Sequence, residues 1–170
     1  MPEGARVFHP GPLLRALEAE RVSYVVIGGT AAVIQGATHV TFDLDICPDR
    51  YSANLDRLAT ALRRLRAEVY GMPAEAAGAF HLDGATLANG SAWKFLTDHG
   101  ELDVALEPDG TRGYKDLIRS AVDTQAYGLT IKVAALEDVI RSKEAADRPR
   151  DRAVLPDLRR TLELRRERGS

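Results

Sequence analysis

The first residues able to do chemistry are two aspartates, Asp43 and Asp45, in the segment HVTFDLDI. Its alternation of polar and apolar residues predicts a strand over 39–46, in which successive side chains point to opposite faces. One face carries Thr41 and both aspartates into a cleft, and the other packs on the core through Phe42, Leu44 and Ile46. Carboxylates about 6.6 Å apart along a strand can converge on divalent cations. The alternative is a strand whose solvent-exposed face is merely polar. Two aspartates argue against it, because Asp has poor β-propensity and is uncommon in such strands.

The same alternation recurs in GELDVALEP, where Glu101 and Asp103 share one face of a second predicted strand. If this strand lies beside the first, Asp103 joins Asp43 and Asp45. Glu101 is an alternative third ligand, one side-chain pair further along the strand. Three carboxylates from two neighbouring strands form a hard oxygen site that suits Mg²⁺, and the spacing suits two ions.

A glycine turn, Gly28-Gly29-Thr30, precedes the aspartates and lies between a predicted strand and a predicted helix. Glycine lets a backbone approach a ligand closely, and a helix N-terminus offers free N–H groups to an anion. The Thr30 hydroxyl adds a donor, so the turn is a candidate phosphate cradle; a purely structural turn is the alternative. It lacks the Lys-Ser/Thr of a P-loop and the spacing of G-x-G-x-x-G. A dinucleotide site would explain only one of the aspartates.

The elements that must position these residues alternate between helix and strand. Helices are predicted at 12–20, 30–36, 54–68, 114–122, 136–146 and 151–167. Strands are predicted at 23–27, 39–46 and 129–135, with a hairpin around Asp98-His99-Gly100. Apolar spacing supports the helix at 54–68, whereas the Gly- and Ala-rich segment 70–90 supports no assignment.

Composition limits the class of protein. A chain of 170 residues is long enough for one domain with a substantial core and short for two. No apolar run approaches the ~18 residues of a membrane span, and the N-terminal residues lack a secretory pattern. The single cysteine, Cys47, indicates a reducing compartment, most simply the cytoplasm, and we expect it to be a small, semi-buried core residue.

Charge is distributed unevenly along the chain. Residues 141–170 contain ten Lys/Arg and six Asp/Glu, a net of +4, although the whole chain has a net charge of −2. The segment RRTLELRRERGS is the most basic. It is either a solvated helix face with Glu–Arg pairs or an electrostatic contact for a polyanion such as RNA.

The combination of Gly-Gly-Thr, an Asp-x-Asp pair and a later strand aspartate resembles the polymerase-beta-like nucleotidyltransferase superfamily. The segment LEDVIRSKEAADRPRDRAVLPDL, at 136–158, is similar to minimal bacterial members, including the AbiEii-type toxins of type IV toxin–antitoxin systems. The resemblance covers 12–46, 93–107 and 133–158, and omits 69–92. It implies an α+β fold of one domain over 1–170, with a small mixed sheet flanked by helices. The catalytic core would span about 12–134 and the C-terminal helices 136–168.

The resemblance also implies roles for individual residues. The glycine turn would hold a nucleoside triphosphate through Gly28, Gly29 and Thr30. Mg²⁺ would be bound by the three aspartates, Asp43, Asp45 and Asp103, with Asp103 also helping to deprotonate the acceptor. Lys143 would neutralise phosphate charge, and Asp151 would orient Lys143 or Arg148. His39 stands where relatives usually have arginine; protonated, it can bind an anion, but without arginine's two-pronged geometry.

The implied activity is Mg²⁺-dependent transfer of a nucleoside monophosphate from an NTP to a hydroxyl, with release of pyrophosphate. Relatives use tRNA ends, protein hydroxyls or small molecules such as aminoglycosides as acceptors. The basic tail favours RNA or a partner protein, and the resemblance raises the possibility of a cognate antitoxin. The competing hypothesis is a non-catalytic module that keeps the fold and acts through protein or RNA contacts. Retention of three mutually repelling carboxylates favours the enzyme.

Overall fold

A seven-stranded mixed β-sheet forms the centre of the protein in the computed structural model, which describes residues 6–169. The strands, in chain order, are β1 (Tyr24–Ile27), β2 (Asp43–Pro48), β3 (Glu68–Val69), β4 (Ala92–Thr97), β5 (Gly100–Ala105), β6 (Val122–Ala126) and β7 (Leu129–Val133). Their spatial order is β3-β4-β5-β2-β1-β7-β6. The β2–β5 and β1–β7 pairs are parallel, and the other pairs are antiparallel.

Eight helices flank the sheet among the described residues. They are α1 (Pro10–Ala19), α2 (Gly28–Ile34), α3 (Ser52–Arg64), α4 (Ala74–Ala77), α5 (Gly84–Asn89), α6 (Tyr114–Leu117), α7 (Leu136–Ala146) and α8 (Pro149–Arg168). Helix α3 packs on α1 and α5, whereas α7 packs on α2 and α8. The predicted mixed sheet with flanking helices and a helical C-terminus is confirmed. Between residues 6 and 169, no helix combines the length and apolar character needed to cross a membrane.

Strand β2 lies at the centre of the sheet, and its two faces differ as the alternation predicts. Leu44 and Ile46 are fully buried in the core, while Asp43 and Asp45 face the cleft side. The prediction fails for Phe42, which is 75% exposed because the strand begins only at Asp43 and not at residue 39. Residues 37–42 form a loop beside the cleft, which we call the lip.

Two predicted helices end four or five residues earlier than expected, and one hairpin was not predicted. Helix α3 ends at Arg64 rather than at residue 68 because Arg66 adopts a left-handed conformation with a φ of 52°. The helix predicted over 114–122 is the single turn α6, and Val122 instead begins β6. Strands β6 and β7 form a hairpin, missed in the sequence, whose turn places Tyr127 and Gly128 at φ values of 54° and 78°.

The other local signals are reproduced. The β4–β5 hairpin turns at Asp98 and His99, and α7 has its predicted bounds of 136–146. Helix α8 begins at Pro149, two residues before the predicted 151, because proline is favourable in the first turn of a helix. Cys47 is fully buried, which raises the pKa of its thiol to about 12. The unassigned segment 70–90 contains α4 and α5.

Candidate active site

The acidic residues meet because β2 and β5 are parallel neighbours. Their register sets Asp45 opposite Asp103 and Asp43 opposite Glu101. Residues directly opposite in neighbouring strands point to the same face of a sheet. Carboxylate oxygens of Asp43, Glu101 and Asp103 lie within 4.8 Å of one another. The structure thus brings together the three predicted aspartates and adds Glu101, the alternative ligand.

The carboxylates of this cluster outnumber the ammonium groups beside them, which are those of Lys94 and Lys143. Burial, followed by the negative charges of Asp43 and Asp103, raises the pKa of Asp45 to about 8, against the opposing effect of Lys143. Burial also raises the pKa of Asp103, although the nearby ammonium of Lys94 acts in the other direction. Oδ1 of Asp103 is buried and accepts no hydrogen bond within residues 6–169. Hard oxygen donors, raised pKa values and an unpartnered carboxylate oxygen all fit a divalent cation.

The glycine turn lies directly against the first two aspartates. Gly28 and Gly29 open α2 immediately after β1 and line the cleft. Gly28 has a φ of +64°, and a Cβ at this position would lie 3.0 Å from Cγ of Asp45 and closer still to its Oδ2. A Cβ on Gly29 would lie 3.0 Å from Oγ1 of Thr41. The positive φ and the close approach require glycine at Gly28, and the close approach to Thr41 favours it at Gly29.

Thr30 is buried at the start of α2, where its side chain contacts β2. Its hydroxyl donates a hydrogen bond of 2.8 Å to the main-chain oxygen of Asp43. The Thr41 hydroxyl donates to Oδ1 of the same aspartate at 3.1 Å. Thr30 thus ties the start of α2 to β2, and the cleft wall is formed by the two glycines before it. Triphosphate contact by its hydroxyl stays a prediction.

The loop between α7 and α8 brings two basic side chains onto one carboxylate. Asp151, only 1% exposed, accepts hydrogen bonds from Nζ of Lys143 at 3.4 Å and from Nε of Arg148 at 2.6 Å. Burial alone would raise the pKa of Asp151, but the hydrogen bond from Arg148 and the charge of Lys143 keep this pKa below its ordinary value. Asp151 therefore stays ionised and holds both cations at the cleft, which they line.

His39 lies on the lip and is held there by the C-terminal helix. Its Nδ1 is 3.3 Å from Oδ2 of Asp157 on α8, and the hydroxyl of Thr38 donates to the same carboxylate at 2.9 Å. Nε2 of His39 faces the glycine turn, 3.6 Å from the position of a Cβ on Gly29. Asp157 was not identified in the sequence, because it lies 118 positions after His39 and no local pattern links the two residues.

Lys94 is a second residue that the sequence analysis missed. Its Nζ lies 2.9 Å from Oε2 of Glu101 and 3.6 Å from Oδ2 of Asp103. A signal for it existed: a two-residue hairpin turn at Asp98-His99 sets the register of β4 and β5 and places Lys94 opposite Asp103.

The surrounding cleft has a volume of about 830 Å³ and extends from the glycine turn and β5 to α7 and α8. Its lip exposes two apolar side chains, Val40 and Phe42. Trp93 also lines it, but the indole stacks on Phe95 and donates its N–H to the carbonyl oxygen of Leu87. This contact supports a packing role for Trp93.

No family model and no curated protein sequence matches the chain. Among solved structures, lincomycin-bound LnuA, a lincosamide antibiotic adenylyltransferase, matches with a TM-score of 0.58 and 17% identity over 90% of this chain and 98% of its own. This chain has the nucleotidyltransferase fold.

Two further structures share the nucleotidyltransferase fold, both of the antibiotic-resistance factor ANT(2″)-Ia. Its solution structure matches with a TM-score of 0.55 and 12% identity over 93% of this chain and 89% of its own. Its complex with adenylyl-2″-tobramycin matches with a TM-score of 0.54 and 13% identity, over 94% and 95%. These neighbours show the fold, and they do not single out the AbiEii-type family.

Proposed function

We propose that the protein is a divalent-metal-dependent nucleotidyltransferase that moves a nucleoside monophosphate from an NTP to an acceptor hydroxyl. One observation carries the proposal: Asp45 and Asp103 lie opposite each other on parallel strands, beside Asp43 and directly below the glycine turn. A cluster of this kind requires positive charge, and a cleft that contains it suits an anionic nucleotide bound together with a metal.

The metal ligands in this proposal are Asp43, Asp45 and Asp103, with Glu101 as the neighbouring carboxylate. Mg²⁺ fits this donor set because every ligand is a carboxylate oxygen, and we propose two ions. When bound, the metal would act as a Lewis acid that promotes ionisation of the acceptor hydroxyl and neutralises charge on the pyrophosphate.

The triphosphate would be bound by main-chain groups at Gly28 and Gly29 and by the charges of His39, Lys143 and Arg148. The first N–H groups of a helix have no partners inside the helix, and both glycines lack side chains that would keep a phosphate away. Asp151 would orient the two cations, since it contacts both. Thr30 would hold the glycine turn on β2. The alternative role for Thr30 is contact between its hydroxyl and the triphosphate.

The reaction would proceed by attack of the acceptor oxygen on the α-phosphorus. The bond from this phosphorus to the β-phosphate oxygen breaks, and pyrophosphate leaves toward Lys143 and Arg148. Asp103 would accept the proton of the acceptor hydroxyl.

We propose an RNA end, such as that of tRNA, or a protein hydroxyl as the acceptor, in keeping with the basic tail. The AbiEii-like segment supports a toxin with a cognate antitoxin as the biological setting. A small aminoglycoside-like acceptor is a second candidate, and one observation favours it. Several tail arginines are occupied within the protein: Arg159 pairs with Glu144 at 2.7 Å, and Arg165 donates to the carbonyl oxygen of Gln35 at 3.0 Å.

Incubation of the purified protein with each labelled NTP and Mg²⁺ tests the activity. Acceptors are total tRNA, a cell-protein fraction, an aminoglycoside and a lincosamide, and the readouts are label transfer and pyrophosphate release. The variant with both Asp43→Asn and Asp45→Asn is the control, and we expect it to be folded and inactive. If no NTP is consumed, and none shifts the melting temperature with Mg²⁺ present, the proposal fails and the non-catalytic binding module is favoured.

A further inference from the structure

Lys94 occupies a position in the acidic cluster that a metal ligand set would not normally contain. It lies on β4, opposite Asp103 of β5, and its ammonium contacts both Asp103 and Glu101. The next strand beyond β5 is β2, where Asp45 lies opposite the same Asp103. Asp103 is therefore flanked by a lysine on one side and a carboxylate on the other, in one row across the sheet.

The ammonium of Lys94 also contacts an aromatic ring. The ring of Tyr70, just after β3, lies with its centroid 5.6 Å from Nζ of Lys94. An aromatic face attracts a cation at this distance. The side chain of Lys94 lines the cleft and is 41% exposed, so solvent space is open to its ammonium. In its observed position Lys94 partly neutralises the acidic cluster. Its side chain also has space to move away from this position.

A divalent cation bound at Asp103 would lie beside this ammonium, and the two like charges would compete for the same carboxylate. Oδ2 of Asp103 faces Lys94 at 3.6 Å, while Oδ1 is buried and unpartnered within the described part of the chain. A cation that binds the cluster gains the free oxygen but must also repel or displace the ammonium. Like charges at such short range repel each other even at the effective dielectric constant of about 20 that applies near a protein surface. The lysine therefore opposes metal binding while no other charge is present.

We propose that Lys94 is a resident counter-ion that competes with a divalent cation for Asp103 and Glu101, and so sets the metal affinity of the site. This inference rests on the proposed function for the identity of the metal site. In the absence of nucleotide, the lysine keeps metal affinity low. The negative charge of a bound triphosphate then tips the balance toward the metal, so metal and nucleotide bind together.

Titration with Mn²⁺ in the absence of nucleotide, followed by electron paramagnetic resonance of the free ion, tests the competition. Lys94→Met keeps the length of the side chain and removes its charge, and we expect Mn²⁺ to bind about tenfold or more tightly than to the wild type. Lys94→Arg keeps the charge and should bind Mn²⁺ with an affinity close to that of the wild type. Thermal melting of both variants establishes that they are folded.

Lys132→Met is the matched control. Lys132 lies opposite Asp123 in the β6–β7 hairpin and pairs with it at 2.6 Å, so it repeats the cross-strand geometry outside the cleft. We expect no change in its Mn²⁺ affinity.

Equal or weaker Mn²⁺ binding by folded Lys94→Met would overturn the inference. The Asp43→Asn/Asp45→Asn variant separates this failure from failure of the site itself. If that variant loses Mn²⁺ binding while Lys94→Met resembles the wild type, only the role of Lys94 is wrong. If that variant binds Mn²⁺ as the wild type does, the metal is held elsewhere and the proposed function fails as well.

Discussion

The backbone of Gly28 lies in direct contact with the carboxylate of Asp45, with no space for a side chain between them. A Cβ on Gly28 would approach Cγ of Asp45 to 3.0 Å, and the φ of Gly28 is +64°. The glycine turn and the first aspartates thus form one unit, although 17 positions separate the two residues in the chain. Any change that widens the turn must move the carboxylate.

Gly28→Ala tests this coupling. A left-handed conformation costs a non-glycine residue about 1–2 kcal/mol, and the collision with Asp45 adds to this cost. We expect a loss of stability in urea unfolding, together with a loss of Mn²⁺ and nucleotide binding. Gly128→Ala is the control, because its φ is +78° and no atom lies within 4 Å of its Cβ position. Gly128→Ala should lose stability but keep its binding of Mn²⁺ and nucleotide. Equal Mn²⁺ binding by both variants would show that the contact does not position Asp45.

Asp45→Asn should make the metal-free protein more stable at alkaline pH. The pKa of Asp45 is about 8 in the folded protein against 3.8 ordinarily, so the folded state binds the proton more tightly than the unfolded state. The contribution of Asp45 to the free energy of unfolding of the wild type is therefore fully present below about pH 4 and is lost as the pH rises to about 8. The variant lacks this decline, and we expect it to be more stable by roughly 1–3 kcal/mol at pH 8.5.

Melting curves at pH 5.5 and 8.5 without divalent cations measure this difference. Mg²⁺ should then stabilise the wild type at pH 8.5 and leave the variant unchanged, since the variant has lost a ligand. Asp123→Asn, at an exposed position outside the cleft, is the control and should show neither effect. A variant that melts well below the wild type at both pH values would contradict the assignment of Asp45 to a metal site.

Lys143→Ala should weaken NTP binding by about tenfold or more, since a hydrogen bond from a charged group contributes about 1.5–3 kcal/mol. The fold should persist, because Asp151 keeps its hydrogen bond from Nε of Arg148 at 2.6 Å. Arg159→Ala removes an exposed ion pair with Glu144 and should leave NTP binding unchanged. The measurement is titration with a fluorescent NTP analogue. Unchanged affinity for Lys143→Ala would mean that this lysine only partners Asp151.

His39 and Asp157 should act together in nucleotide binding. His39→Ala should weaken NTP binding, because the imidazole ring faces the glycine turn. His39→Arg should bind NTP at least as tightly as the wild type, since a guanidinium offers two donors to a phosphate. Asp157→Asn should weaken NTP affinity, since Asp157 holds both His39 and Thr38 on the lip. Titration with a fluorescent NTP analogue measures each affinity, and unchanged binding by folded His39→Ala would assign His39 a structural role.

The basic tail can be tested as an RNA contact only at arginines that do not support the fold. Arg165 contacts the carbonyl oxygen of Gln35 and Arg166 pairs with Glu137, so their removal would also disturb packing. Arg160 and Arg168 are exposed. Changing both to Ala should leave NTP binding intact and weaken binding to an RNA acceptor. The slope of log affinity against log salt concentration should fall by the amount that about two phosphate contacts contribute. Unaltered RNA binding at low and high salt would direct the search to protein and small-molecule acceptors.

The local parts of the fold could be predicted from the sequence, because their causes lie within a few residues. Apolar periodicity predicts α3 and α7, and alternation predicts the buried Leu44 and Ile46 of β2. The errors lie at the boundaries of elements. Phe42 continues the alternation of β2, but the strand begins only at Asp43, so an apolar side chain is exposed on the lip.

The sequence by itself determined which residue types the site contains: the aspartate pair, the later aspartate, the glycine turn and Lys143. Tertiary structure alone decided how they meet. The parallel register of β2 with β5 joins Asp45 to Asp103 across 58 positions, and α8 returns to place Asp157 beside His39. Such contacts depend on which strands and helices pack together over the whole chain, because the periodicity of a strand or helix specifies a face of that element and not its neighbour.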